Sequence, residues 1–404
     1  MKKSMIFAAM LALAATGANA KTAADSAAIA KNKPVFTVVK ENPITSIKDQ
    51  NRSGTCWAYS TLSFFESEIL KHTGKTYDLS EMFVANKTYM DRATMAVRMH
   101  GDVSFSQGGS AYDVLYALQH YGIVPENAMP APGTLTGDSL ANFGEFFDVM
   151  TPYVEAVAKS NAKKISSAWK SGLQGIIDSY IGKTPEKFTY QGKQYTPQSF
   201  CQSLGLNLDD YVTITSYTHH PMWSKFAVEV QDNWRWPLSY NVPMEDLCKI
   251  IDNAVNNGYT VAWGGDVTED GFTRKGLGIA YDVKKVRSMA GTDADHWFKL
   301  SKDEKKEKFD SLGVNAPEVV PTQAMRQEAF DNWETTDDHG MHIYGIAKDQ
   351  NGKEYYMVKN SWGEAGKYKG LWYASKAFVA YKTMNILVHK DALPKDIAKK
   401  LGFK

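Results

Sequence analysis

The sequence predicts an α+β chain in three parts: a helical half over residues 43–125, a strand half over 331–404, and between them a helical insertion over 126–330 that also feeds the strand half. Two patterns and one composition argument predict it. Ala58, Leu62, Phe65 and Ile69 recur at i, i+4, i+7 and i+11, the spacing of a helix with a buried stripe. Segments His339–Ala347 and Lys353–Asn360 alternate in polarity around a turn-rich stretch, the pattern of an antiparallel hairpin. With 404 residues, 43% of them hydrophobic, the chain can bury a large core, which excludes a disordered protein. A formal charge of +1 without Lys/Arg clusters leaves no phosphate-tracking stripe, so no nucleic-acid partner is expected.

At the N-terminus, Lys2 and Lys3 precede the apolar run Met5–Ala15 and then Ala18-Asn19-Ala20, an A-x-A pattern. This predicts a signal peptide over residues 1–20, cleaved after Ala20, and an exported protein, periplasmic or secreted. The run is too short to cross a bilayer, which takes roughly 20 residues. No other segment is long enough, so no membrane contact is expected once the leader is removed. Residues 21–42, rich in Ala and Lys, predict a loose N-terminal segment.

Three cysteines, Cys56, Cys201 and Cys248, cannot all pair, so at least one thiol is free. Cys201 and Cys248 lie in ordinary helical or polar surroundings, where they either pair with each other or pack as small hydrophobes. Cys56 differs. It follows the polar loop Asp49–Thr55 and opens the periodic segment, which Gly74 ends after Lys71 and His72. That places its thiol in the first turn of a helix, where free N–H groups and the helix dipole favour an anion and lower a thiol pKa.

A nucleophilic thiol needs a base. Of the nine histidines, His339 and His342 stand on the predicted hairpin. A loop of Lys348–Asn351 sets Ala347 opposite Gly352 and His339 opposite Asn360, on a face shared with Met341, Ile343, Tyr356 and Val358. His342 then falls opposite Met357 on the other face. This register selects His339, and a slip of one residue would select His342 instead.

A thiol, an imidazole and an orienting amide form a Cys-His-Asn arrangement. A free thiol of pKa near 8.5 is only about 3% ionised at pH 7, and pairing with an imidazolium can bring it to ~3–4. Asn360 would fix the ring without adding charge, and Trp362 would shield that bond from water. Gln50, with the Cys56 backbone N–H, would supply an oxyanion hole. No HExxH, CxxC pair or G-x-S-x-G occurs, and adjacent His219 and His220 should point apart on a strand, so neither a metal nor any other cofactor is expected.

Gln50, Cys56-Trp57, His339-Gly340 and Asn360-Ser361-Trp362-Gly363, in this order, resemble the papain-like cysteine peptidases. Leu79-Ser80-Glu81, Gln107-Gly108-Gly109-Ser110, Tyr121–Pro125, Asp209–Val212 and Gly264–Val267 are similar to the bleomycin hydrolase and aminopeptidase C branch of that family. The resemblance spans roughly residues 40–395. It implies a papain-like two-lobed fold, with Gln50 as oxyanion donor, Cys56 as nucleophile, His339 as base and Asn360 as its orienter. It also implies peptide substrates bound along Gly108 and Gly109, with Trp362 at the same groove, and a homo-oligomer, the branch's hexamer. The short segment between Ala20 and Gln50 leaves no room for the inhibitory pro-domain of secreted relatives, so activity without proteolytic maturation is expected.

Two departures stand out. Ser53 occupies a position that is often cysteine in secreted relatives. The residues after His389 lack the apolar tail whose carboxylate restricts the branch to free N-termini. The leading function is therefore an aminopeptidase, with an endo- or oligopeptidase of the same fold, or a catalytically silent peptide-binding protein, as the alternatives.

Overall fold

A computed structural model describes residues 34–131, 140–285 and 311–403, with a few isolated positions from 301 to 307. The predicted leader lies outside them. Strand β1 (Phe36–Glu41) comes first, followed by a helical lobe of α1 (Cys56–Thr73), α2 (Glu81–Arg98), α3 (Ala111–His120), α4 (Gly144–Ala158) and α5 (Ala168–Ile181). The short hairpin β2 (Phe188–Tyr190) and β3 (Lys193–Tyr195) and helix α6 (Pro197–Ser203) complete that lobe.

The chain then enters a sheet through β4 (Tyr211–Thr215), β5 (Lys225–Phe226) and β6 (Ser239–Asn241). Helix α7 (Met244–Asn256), β7 (Val261–Gly265), β8 (Phe272–Thr273), β9 (Leu277–Gly278) and α8 (Gln323–Asp331) follow. Last come β10 (His339–Asp349), β11 (Glu354–Lys359), β12 (Leu371–Ser375), α9 (Lys376–Lys382), β13 (Thr383–His389) and α10 (Lys395–Lys400). The sheet runs β5-β6-β4-β13-β7-β10-β11-β12-β9-β8. Its pairs are antiparallel except β4 with β6 and β9 with β12, so the expected antiparallel lobe is a mixed sheet.

Helix α1 starts and stops where its residues dictate. Gly74 takes φ 69°, the left-handed cap that lets its N–H close on the Leu70 carbonyl at 2.8 Å. The helix is buried on every side from Trp57 to Ile69, not along one stripe, because α3 covers one face and β10 with β7 the other. Burial includes Glu66, whose carboxylate accepts from Thr45 Oγ1 and the Leu79 N–H (2.9 Å) and sits 3.4 Å from Lys48 Nζ. Lys48 also reaches Glu81 and Asp78, each at 2.7 Å, so the buried charges are paired.

The hairpin register differs from expectation. Strand β10 continues to Asp349, Ala347 faces Tyr355, and a bulge between Ile343 and Gly345 shifts the pairing to Ile343–Val358 and His342–Lys359. The ladder is thus displaced by two residues from the predicted one at its far end. Because two is one full side-chain period, the faces survive: Met341, Ile343, Tyr356 and Val358 lie together in the sheet core, and His339 shares a face with Asn360.

Strand β10 is fastened on both edges. β7 and β1 pair successive halves of one edge, and β11 takes the other. Its Gly340 lies against α1: an added Cβ would fall 2.6 Å from Ser60 Oγ and 3.3 Å from Trp57 Cα. Gly340→Ala should therefore lose about 1–3 kcal/mol, as overpacking does, read as a lower urea midpoint at unchanged slope.

Candidate active site

Cys56 is the first residue of α1 and His339 the first of β10, so the helix–strand packing at Gly340 brings the two elements' starts together. Both residues line one cavity of about 140 Å³, with Gly108, Gly109, Asp232 and Asp337 among the other walls. Burial pushes the Cys56 thiol up to about 11; the Gly340 and Trp57 N–H groups oppose this, and Asp337 and Asp232 add to it. Burial pulls the His339 imidazole down to about 4, against the Asn360 bond and the Asp338 charge. Burial thus disfavours the charged form of each group, and no hydrogen bond joins them.

The imidazole is nevertheless in the state a base needs. Its Nε2 lies 2.7 Å from Asn360 Oδ1, and the Ser361 N–H donates to the same oxygen at 2.8 Å. An oxygen already accepting one N–H requires a proton on Nε2, which leaves Nδ1 with a free lone pair. The Trp362 ring lies 4.8 Å from the imidazole, centroid to centroid, and covers this bond.

Gln50 is buried. One N–H of its amide donates to the Ser53 carbonyl at 2.7 Å, and its Oε1 accepts from Ser361 Oγ at 2.6 Å. The second N–H remains for another acceptor. Neither Gln50, Asn360 nor Trp362 lines the Cys56 cavity. Trp362 instead borders a second cavity of about 540 Å³ with Asp49, Arg52 and Arg274.

The strap Gln107–Gly109 is bolted to the helical lobe. Trp57 Nε1 and Tyr89 OH donate to the Gln107 carbonyl (3.0 and 3.1 Å), Gly54 N–H to Gln107 Oε1 (2.7 Å), and Arg92 to the Gly108 carbonyl (2.5 Å). Any side chain on Gly109 would strike the Trp57 indole, 2.9 Å from the Cβ position. Glycine is required there by contact, not by backbone angle.

The other candidates separate. His342 is fully buried, with Nδ1 2.9 Å from Ser63 Oγ, and burial next to Lys359 holds its pKa far down. Cys201 and Cys248 are both free thiols, pushed by burial up to about 12 and about 11. His219 and His220 do not point apart. They occupy a turn where both Nε2 atoms meet Glu229, at 2.9 and 2.8 Å, and the three donor atoms lie within 4.8 Å of one another. Trp234 is core, whereas Trp236 is half exposed.

A family model described as the peptidase C1-like family matches residues 2–312 and 310–403. The chain belongs to the peptidase C1-like family. Among curated relatives in this family, aminopeptidase G of Lactobacillus delbrueckii subsp. lactis is 24% identical over 393 residues, covering 88% of this chain and 83% of its own. Aminopeptidase C of Lactobacillus helveticus is 24% identical over 410 residues, covering 90% and 85%. The solved structure of PepW from Lactobacillus rhamnosis superposes with a TM-score of 0.67 at 20% identity, over 94% of this chain and 86% of that one, and shares its fold. In this peptidase C1-like chain Cys56, at a helix start, and His339, bonded to Asn360, line one cavity.

The sequence reading missed Asp232 and Asp337 at the cavity. A signal existed for the second, since Asp337-Asp338 directly precede His339. With burial pushing the thiol up, a thiolate near neutral pH needs a proton acceptor beside it, and His339 lines the same cavity. His339→Ala should slow iodoacetamide labelling of Cys56 at pH 7 at least about 10-fold, measured by mass spectrometry, while Cys201 stays unlabelled in both proteins.

Proposed function

We propose that this cysteine peptidase is an aminopeptidase acting through Cys56, His339, Asn360 and Gln50. The observation that carries the catalytic roles is the bond from His339 Nε2 to Asn360 Oδ1, which leaves Nδ1 as the acceptor in the cavity lined by Cys56. The Cys56 proton passes to Nδ1, and the thiolate attacks the peptide carbonyl carbon. The Cys56 backbone N–H, one of the orphan donors at a helix start, and the spare N–H of Gln50 hold the oxyanion. The imidazolium then protonates the leaving amine, and an acyl-enzyme remains. Water, deprotonated by Nδ1, releases the acid, and the proton returns to sulfur. Gly108 and Gly109 line the acyl side of the groove, and Trp362 the leaving side.

The exopeptidase part of the reading follows the relatives, which are named aminopeptidases over most of their length. Helix α10 and Phe403 pack on the sheet core, and none of the C-terminal residues described after Asn385 lines the Cys56 cavity. The lysines, apolar run and A-x-A site at residues 1–20 support export of the enzyme.

Gln50→Ala should lower kcat by roughly 10²–10³, equivalent to about 2.7–4 kcal/mol of transition-state stabilisation, with KM little changed. Steady-state kinetics on a coumarin-linked amino acid measure it, and Cys56→Ala should show no turnover. The same substrate with an acetylated amine should be cleaved far more slowly by the wild-type enzyme. Equal turnover of the two forms would remove the aminopeptidase assignment.

A further inference from the structure

The walls of the Cys56 cavity beside Gly108 are acidic. Asp232 packs directly on the strap: a Cβ built on Gly108 would fall 1.9 Å from Asp232 Oδ2. The side chain is anchored there, because its Oδ1 takes bonds from the buried Arg92 (3.1 Å) and from Ser106 (3.3 Å). Three residues on, Arg235 clamps Asp91 and Asp113 at 2.6 and 2.7 Å, and Trp234 is buried between the two anchors. The segment is a fixed wall of the groove.

Asp337 lines the same cavity and forms no hydrogen bond or ion pair among the described residues. Its neighbour Asp338 is fully occupied, accepting from the Val267 and Thr268 N–H groups and from Thr336 Oγ1. Asp266 and Lys382 are tied up at that same junction. A largely buried carboxyl without a protein partner leaves an interaction to be made by something else. Arg92 offsets the charge of Asp232, whereas Asp337 has no cation among its neighbours, and burial, with Asp232 and Asp338 beside it, pushes its carboxyl up to about 7.

We propose that this acidic end is an α-ammonium site, in which Asp232 walls the groove so that one residue fits ahead of the cleaved bond and Asp337 receives that residue's free amine. The inference rests on the aminopeptidase reading and names the residues that would produce it. Its distances agree. In an aminopeptidase substrate the ammonium nitrogen is on the carbon next to the attacked carbonyl, hence close to the sulfur. Asp337 and Asp232 line the same cavity of about 140 Å³ as Cys56. The sign agrees as well. Carboxylates at the short end select an amine terminus and repel a carboxylate terminus. The larger cavity beside Trp362 carries Arg52 and Arg274 and takes the rest of the chain.

The test uses Asp337→Asn, a near-isosteric change that breaks no bond in the protein, and a coumarin-linked amino acid with a free or acetylated amine. In the variant, kcat/KM for the free-amine substrate should fall at least about 10-fold, and its ratio to the acetylated form should collapse towards one. A wild-type preference for the free amine that Asp337→Asn leaves intact overturns the ammonium site. No preference in the wild type overturns instead the aminopeptidase reading beneath it. The wall is tested on the wild-type enzyme with a coumarin-linked dipeptide of free N-terminus, followed by mass spectrometry. Single residues should appear before coumarin, and release of the intact dipeptide would show that the groove is open beyond Gly108.

Discussion

Everything in the site depends on the close approach of a helix to a strand at one glycine. Gly340 has no side chain, so the first turns of α1 press on β10 between Cys56 and Ser60. Two elements that each begin with a reactive residue are thereby held start to start. The helix is buried on all sides and the strand paired on both edges, so neither end can drift independently. Rigid elements, not loops, carry the sulfur and the imidazole.

The same packing explains why burial disfavours a charge on either group. A cavity closed enough to hold a substrate carbonyl is also one from which water is largely excluded, and neither a thiolate nor an imidazolium is well solvated there. Asp337 and Asp232 make the thiolate still less favourable in the empty site. A bound ammonium would cancel that penalty, so the acidic wall that fits a free N-terminus would also link substrate binding to ionisation of the nucleophile.

Much of this could be read from the amino acids, and the failures have definite causes. Helix α1 was readable to its last residue, because an apolar period, two basic residues and a cap glycine agree. Its complete burial was not, since Glu66 and Glu68 look like solvent residues until Lys48 and Thr45 are brought to one of them from far along the chain. The structure bonds His339, not His342, to Asn360, although the predicted register was wrong. The turn was placed too early, and the bulge before Gly345 restored the parity that the error had broken. The adjacent histidines at 219 and 220 were read as strand residues, whereas they sit in a turn that lets both rings converge on Glu229. Asp232 carried no local sign at all, because its meaning lies in Gly108, a residue it meets only after the insertion has folded back.

Strand β1 joins the same strand that opens with His339, so it finds its partner only when synthesis is nearly complete. Such distant pairing raises contact order and slows closure of the sheet. Until then β1 has an unsatisfied edge, and β10 lacks half of one side. A ribosome-bound chain would therefore stay incompletely folded, and inactive, for most of its elongation. Topology alone would delay proteolysis until the polypeptide had left the machinery that made it.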